Sequence, residues 1–215
     1  TRFKSEAPDT ILCVSYNSDS NRRLEHWSNA YRQADFLIVN NQDMFDFKQR
    51  PPNSCCISNG VDTEIFSNTT PIEEREHRIF WRGSSNPRKG KGWQDVIEPS
   101  IPLLEKEGFV CDMSPIDEIK SGVVLPQKEL VELYNQCSYA LIASISEGTP
   151  NVSLESAACG CVNVSTPVGN ILEWGEHAVN CVLAERNVES FVQCFRYARE
   201  NRERISKAAT ETMRN

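Results

Sequence analysis

Glu147-Gly-Thr-Pro-Asn-Val-Ser-Leu-Glu155, running on into Ser156-Ala-Ala-Cys-Gly160, decides how this chain is read. Before it lies Tyr139-Ala-Leu-Ile-Ala143, an apolar run of the length of a buried parallel strand. After it, Val152, Leu154, Ala157 and Ala158 recur at helical spacing, and Gly160 can close the helix. The pattern predicts strand, turn and helix, with Gly148 and Pro150 in the turn. Such a turn leaves backbone N–H groups unpaired at a positive helix end, where a phosphate can bind. Glu147 falls at the C-terminal end of the strand, the edge of an open α/β sheet at which ligands bind, and Glu155 one or two turns into the helix. A strand–turn–helix with two solvated glutamates is the plainer reading of the same residues.

Upstream, Arg78-Ile-Phe-Trp81 reads as a strand, followed by the basic, glycine-rich Arg82-Gly-Ser-Ser-Asn-Pro-Arg-Lys-Gly-Lys-Gly92. A cation-rich loop between a strand and a helix is a phosphate site by pattern, or else a solvated loop. The following helix carries Trp93, Val96, Ile97, Leu103 and Leu104 and is expected to be interrupted by Pro99 and Pro102. Phe109–Cys111 reads as a strand, and Ile119–Leu125 leads towards another. Gln127–Cys137 reads as a helix with Leu130, Leu133 and Tyr134 on one face. Cys161–Ser165 and Asn180–Leu183 complete the strands, and two helices follow, from Asn187 to Tyr197 and from Asn201 to Arg214.

The beginning of the chain holds less. Ile11–Tyr16, Phe36–Val39 and Cys55–Ile57 read as strands, with helices over Leu24–Tyr31 and around Met44–Phe47, the latter broken by Pro51-Pro52. Asn59-Gly60 is a turn signal. Ser67–Glu76 is polar and contains Pro71, as a linker would.

Two of these stretches resemble the signatures of retaining family-4 glycosyltransferases: Glu147-Gly-Thr-Pro through Glu155, and Asn59-Gly-Val-Asp62 with Phe66. Lys91-Gly92 is similar to the family's Lys-Gly segment, and Thr166-Pro-Val-Gly169 with Ile171-Leu-Glu173 to a loop and short helix beyond it. A glycine usually stands where this chain has Asn170. The resemblance implies the GT-B fold, two Rossmann-like domains with the nucleotide-sugar donor held mainly by the second. The expected class is therefore α/β: a Rossmann-like parallel sheet flanked by helices, preceded by an incomplete N-terminal α/β segment. Residues 1–66 would be that partial segment and 67–76 a linker. Residues 77–186 would be the nucleotide-sugar-binding domain, and 187–215 helices that cross back to the N-terminal segment.

The resemblance also implies roles. Lys91 and Arg82 would face the donor diphosphate, with Arg88 a rival to Arg82 and Lys89 to Lys91. Glu147 would bind donor-sugar hydroxyls and Glu155 the ribose hydroxyls. Gly83, Val124, Gly148, Thr149, Pro150 and Asn151 would complete the donor site. The expected reaction is transfer of a hexosyl group from a UDP- or GDP-sugar to a glycan or lipid-linked acceptor, with no cofactor and no metal. The alternative is a non-catalytic nucleotide-sugar-binding module or subunit that needs a partner.

Composition bounds the rest. The chain has 215 residues, 39% hydrophobic and 25% charged, with net charge −7, which argues against a nucleic-acid partner. No apolar run is long enough to span a membrane, and the expected location is the cytoplasm, with peripheral membrane association left open for a full-length enzyme. The nine cysteines lack metal-site spacing and are expected to be reduced and structural. His26, His77 and His177 are scattered, as structural histidines would be. With Thr1 as its first residue and a short N-terminal segment, the chain is expected to be the C-terminal piece of a longer transferase.

Overall fold

The computed structural model describes residues 13–16, 35–40, 42–46, 52–87, 90–115 and 125–215. The expected helix over Leu24–Tyr31, His26, and the stretch before Leu125 lie outside the described residues. Two compact units divide the chain.

The first unit comprises Thr1–Asn59, Ser146–Pro150 and Gly169–Glu173. Its sheet is parallel, in the order β1 (Cys13–Tyr16), β2 (Phe36–Val39), β3 (Ser54–Cys56). In β2, Leu37 and Val39 are fully buried while Phe36 is exposed, the alternation of a strand with one covered face. The short helix α1 (Gln42–Phe45) follows β2, close to where the apolar residues had placed it.

The second unit holds a five-stranded parallel sheet in the order β5-β4-β6-β7-β8. The strands are β4 (Arg78–Gly83), β5 (Val110–Pro115), β6 (Tyr139–Ile142), β7 (Val162–Ser165) and β8 (Val182–Leu183). The helices are α2 (Glu98–Lys106), α3 (Gln127–Gln136), α4 (Asn151–Ala158), α5 (Ile171–Trp174), α6 (Val188–Glu200) and α7 (Arg202–Arg214). β6 and β7 are buried along their whole length, as strands covered on both faces must be. Side chains alternate between the two faces. Ile79, Trp81, Tyr139 and Leu141 meet Ile97, Leu104, Phe191 and Phe195 on one side, while Phe80 and Ala140 meet Phe66, Tyr134 and Ala158 on the other.

Two expectations change. The helix after Gly92 is not interrupted by its prolines. It opens with a wide turn in which Gly92 O accepts from both Val96 N (3.0 Å) and Ile97 N (2.9 Å), then continues as α2 through Pro102. Pro99 stands in the first turn, where no N–H is required. Pro102 denies a partner only to the carbonyl of Glu98, on an exposed face where water can supply one.

Residues 67–76, polar enough to suggest a linker, are bound into the second unit. Ile72 and Arg75 are 4% and 5% exposed. The Arg75 guanidinium donates to Tyr134 O (3.2 Å) and Cys137 O (2.9 Å) at the end of α3, and to Cys159 O (2.8 Å) at the end of α4. It also reaches Thr70 O (2.6 Å) and Asn68 Oδ1 (2.9 Å). No carboxylate among the described residues pairs with it; the negative ends of two helices take that place. The C-terminal helices cover this same unit, α6 with Phe191, Phe195 and Ala198 and α7 with Ile205 and Ala209.

Four of the described cysteines are buried, and the two described histidines make structural hydrogen bonds. Cys137, Cys159, Cys161 and Cys181 are buried free thiols, and burial pushes Cys137, Cys159 and Cys181 up to about 12. His77 stacks on Tyr139 and bonds its hydroxyl at 2.8 Å, and His177 Nδ1 accepts from Leu183 N at 3.0 Å. No helix among the described residues is long and apolar enough to cross a membrane.

Candidate donor-binding site

The strand order places a switch point between β4 and β6. From β4 the chain turns outward to β5, then returns to β6 on the other side of β4. Carboxyl ends of strands that diverge this way leave a crevice where α/β proteins bind ligands.

The Lys91 loop is fastened to that place. Gly90 O accepts from Ile145 N at 2.9 Å, just past the end of β6. Gly92 has φ +87°, and a Cβ there would lie 2.6 Å from Ala143 O and 2.8 Å from Ala143 Cβ. The loop backbone thus lies against the exit of β6, and only glycine fits at the point of approach. Arg186 secures the arrangement, donating from Nε to Ala143 O (2.9 Å) and from Nη2 to Asp95 Oδ1 (3.0 Å) in the opening turn of the helix. Lys91, half-buried, stands between two glycines of this tethered loop.

Arg82 is placed differently. Its guanidinium donates to Asp112 Oδ1 (2.6 Å) and Asp112 O (2.8 Å) on β5 and to Trp81 O (2.9 Å), and lies 5.1 Å over the Phe80 ring. This ion pair is 21% and 23% exposed. Gly83, its neighbour, is buried at the end of β4. Arg88, Lys89 and Val124 lie outside the described residues.

Glu155 projects from α4, which Asn163 holds on β7. The Asn163 amide donates to Ser153 O (2.9 Å) and accepts from Ser156 Oγ (3.0 Å). The carboxylate is half-buried, and Tyr134 Oη donates to its Oε2 at 3.1 Å. Burial raises the Glu155 carboxyl above its ordinary range, and the Tyr134 hydrogen bond partly opposes that rise. The sign for stability follows: burial penalises the ionised form, so the fold carries that cost at pH above the Glu155 value and gains stability as pH falls through it. Glu155→Gln is therefore expected to raise the unfolding midpoint at pH 7 relative to its effect at pH 4, measured by urea denaturation at both. Asn151 begins α4 on the exposed side.

Glu147, Gly148, Thr149 and Pro150 belong to the first unit. Thr149 Oγ1 accepts from Asn40 Nδ2 at 2.9 Å and donates to Asn40 O at 3.3 Å; Asn40, directly after β2, is 2% exposed. Gly148 O accepts from Asn170 N at 3.2 Å, and a Cβ on Gly169 would collide with Gly148 O. Glu173 accepts from Gln42 N at 2.8 Å and from the Ser58 hydroxyl. The turn is thus gripped by residues distant in the chain, of which Asn40 carries no local sequence signal. Among the described residues no group of three or more His, Cys, Asp or Glu is placed to hold a metal ion.

Residues 116–201 match the family model described as glycosyl transferases group 1. No curated protein sequence matches the chain. Among solved structures, HepE from Anabaena in complex with UDP and glucose aligns over 97% of this chain and 68% of its own, at 16% identity and TM-score 0.71. The pneumococcal O-GlcNAc transferase GtfA in complex with UDP and GlcNAc aligns over 98% of this chain and 50% of its own, at 18% identity and TM-score 0.67. Sucrose-phosphate synthase from Thermosynechococcus elongatus aligns over 86% of this chain and 54% of its own, at 12% identity and TM-score 0.63. The chain therefore spans roughly half to two thirds of the length of these structures, and it carries the Rossmann-like α/β fold of the GT-B glycosyltransferases.

Proposed function

We propose that this chain carries the donor-binding half of a retaining glycosyltransferase that moves a hexosyl group from a nucleotide-diphospho-sugar to a glycan or lipid-linked acceptor in the cytoplasm. The observation that carries the reading is the Lys91 loop, tethered at Gly90 and Gly92 to the exit of β6 at the sheet's switch point. The match of residues 116–201 to glycosyl transferases group 1 supports it. UDP is the favoured nucleotide, since HepE and GtfA were both solved with UDP.

In such a reaction the glycosidic bond to the diphosphate breaks, leaving negative charge on the phosphates and positive charge on the sugar. Lys91 would neutralise the leaving diphosphate, helped by backbone N–H groups at the start of α4. Arg82, held by Asp112, would contribute its charge to the same end of the sheet rather than by an unencumbered fork. Glu147 would bind donor-sugar hydroxyls and stabilise the oxocarbenium-like centre. Glu155 would accept hydrogen bonds from the ribose. With fixed cations in these roles the reaction would need no metal, and nucleotide affinity should be the same with and without EDTA.

Losing one charged hydrogen-bond partner costs about 1.5–3 kcal/mol. Glu155→Ala and Lys91→Ala should therefore each weaken UDP-sugar binding roughly ten- to a hundredfold. Isothermal titration with UDP-glucose, UDP-GlcNAc and a GDP-sugar checks this, and affinities like those of the parent chain would defeat the assignment. Because the chain spans only part of its structural neighbours, a second reading is a donor-binding module that does not turn over alone. Donor hydrolysis or transfer by residues 1–215 separates the two.

A further inference from the structure

The geometry points to Tyr134 as the positioning residue for Glu155, holding one carboxylate oxygen so that the other is presented to the ribose. This rests on the donor-binding reading given above.

Tyr134 is fully buried on α3, in an apolar cluster with Phe66, Phe80, Ala140 and Cys161. Its ring meets Phe80 edge-on at 5.3 Å. Phenylalanine would fill this hole equally well, with no hydroxyl to satisfy. A buried tyrosine hydroxyl must find a partner, and this one donates to Glu155 Oε2 at 3.1 Å. The bond occupies one of the two carboxylate oxygens, fixes the plane of the group and leaves Oε1 to accept from a ligand hydroxyl.

The spacing of the pair is set from beneath. The Arg75 guanidinium bonds Tyr134 O at 3.2 Å and Cys159 O at 2.8 Å, and Cys159 N in turn bonds Glu155 O at 3.0 Å. One cation therefore ties together the helix that carries the hydroxyl and the helix that carries the carboxylate. The titratable groups facing Glu155 are Tyr134 from α3 and the Cys159 thiol at the end of its own helix. Among the described residues no cation pairs with the carboxylate, and the phenol is its side-chain donor. Without that donor, burial alone would act on Glu155, and it would take up a proton at higher pH.

The test is Tyr134→Phe, read in two ways. Binding of UDP, with GDP as a second probe, is measured from pH 5 to 8, and the ligand-free Glu155 carboxyl is titrated by carbon-13 NMR, assigned with Glu155→Gln. The expected result is a folded variant that binds about 3–10-fold more weakly at pH 7. Its affinity should begin to fall at higher pH than in the parent, in step with a raised Glu155 midpoint. A smaller preference for UDP over 2′-deoxy-UDP should accompany the loss. If Tyr134 served packing alone, phenylalanine would serve as well and none of these would move.

Unchanged affinity and midpoint overturn the proposal and leave the donor reading standing. If the parent chain binds neither nucleotide, the donor reading fails and the positioning role falls with it. Should Tyr134→Phe not fold, Glu155→Asp keeps the charge and withdraws it from the phenol. Parent-like binding by that variant overturns the proposal too.

Discussion

Arg75→Met is expected to lower the free energy of unfolding by about 3–5 kcal/mol, since it removes several hydrogen bonds to a buried charged group, each worth about 1.5–3 kcal/mol. The side chain is 5% exposed and bonds carbonyls at the ends of two helices as well as Asn68 and Thr70. Methionine fills much of the volume but takes the guanidinium from Cys159 O in a dry place and one donor each from Tyr134 O and Cys137 O, which keep Cys137 N and the Cys161 thiol. Each unsatisfied buried group costs about 1–3 kcal/mol, a large share of a total that is about 5–15 kcal/mol for an ordinary domain. Arg75→Lys keeps the charge, but one ammonium cannot reach both helix ends, so it should fall between methionine and the parent. Urea denaturation followed by circular dichroism checks the series. A loss below about 1 kcal/mol for methionine would mean that water replaces the guanidinium without penalty.

Gly92→Ala should detach the Lys91 loop from the sheet. A left-handed backbone costs an ordinary residue about 1–2 kcal/mol. Here the new methyl would also lie 2.6 Å from Ala143 O, a backbone atom that cannot retreat without disturbing the end of β6. Gly108 supplies an internal control: its φ is +86°, close to the +87° of Gly92, but a methyl added there would meet nothing within 4 Å. Gly108→Ala should show only the conformational cost and bind nucleotide like the parent. Gly92→Ala should be more destabilised and lose more than tenfold in nucleotide affinity, a difference of about 1.4 kcal/mol or greater. Equal behaviour of the two variants would show that the contact with β6 does not position the loop.

The parallel sheet was legible because its signals are local. The runs Arg78–Trp81, Tyr139–Ala143 and Cys161–Ser165 are short and apolar, and the structure turns each into a buried strand with ends shifted by a residue or two. The two last helices were legible for the same reason, since Phe191, Phe195 and Ala198, and Ile205 and Ala209, recur at helical spacing. Pro102 misled because proline's cost depends on whether the carbonyl it strands can reach water, and exposure is not written in the sequence.

The partners of the candidate site residues were another matter. Arg82 meets Asp112 only because β4 and β5 are neighbours, and Thr149 meets Asn40 across a separation of 109 residues. Tyr134 reads as one apolar position among Leu130 and Leu133 until its hydroxyl is seen to end on Glu155. Arg75 sits in a stretch whose polarity suggests a linker, whereas the charge is buried where two helices end. By itself the sequence determined the alternation of strand and helix, the Lys91-Gly92 loop after β4 and the place of Glu155 on the helix after β6, because periodicity and turn chemistry act between near neighbours; Glu147, expected at the end of that strand, lies five residues beyond it in the first unit. The tertiary structure decided which cation is committed to an aspartate, which to helix ends, and which hydroxyl holds the glutamate. Those pairings arise only where distant segments are brought together out of water.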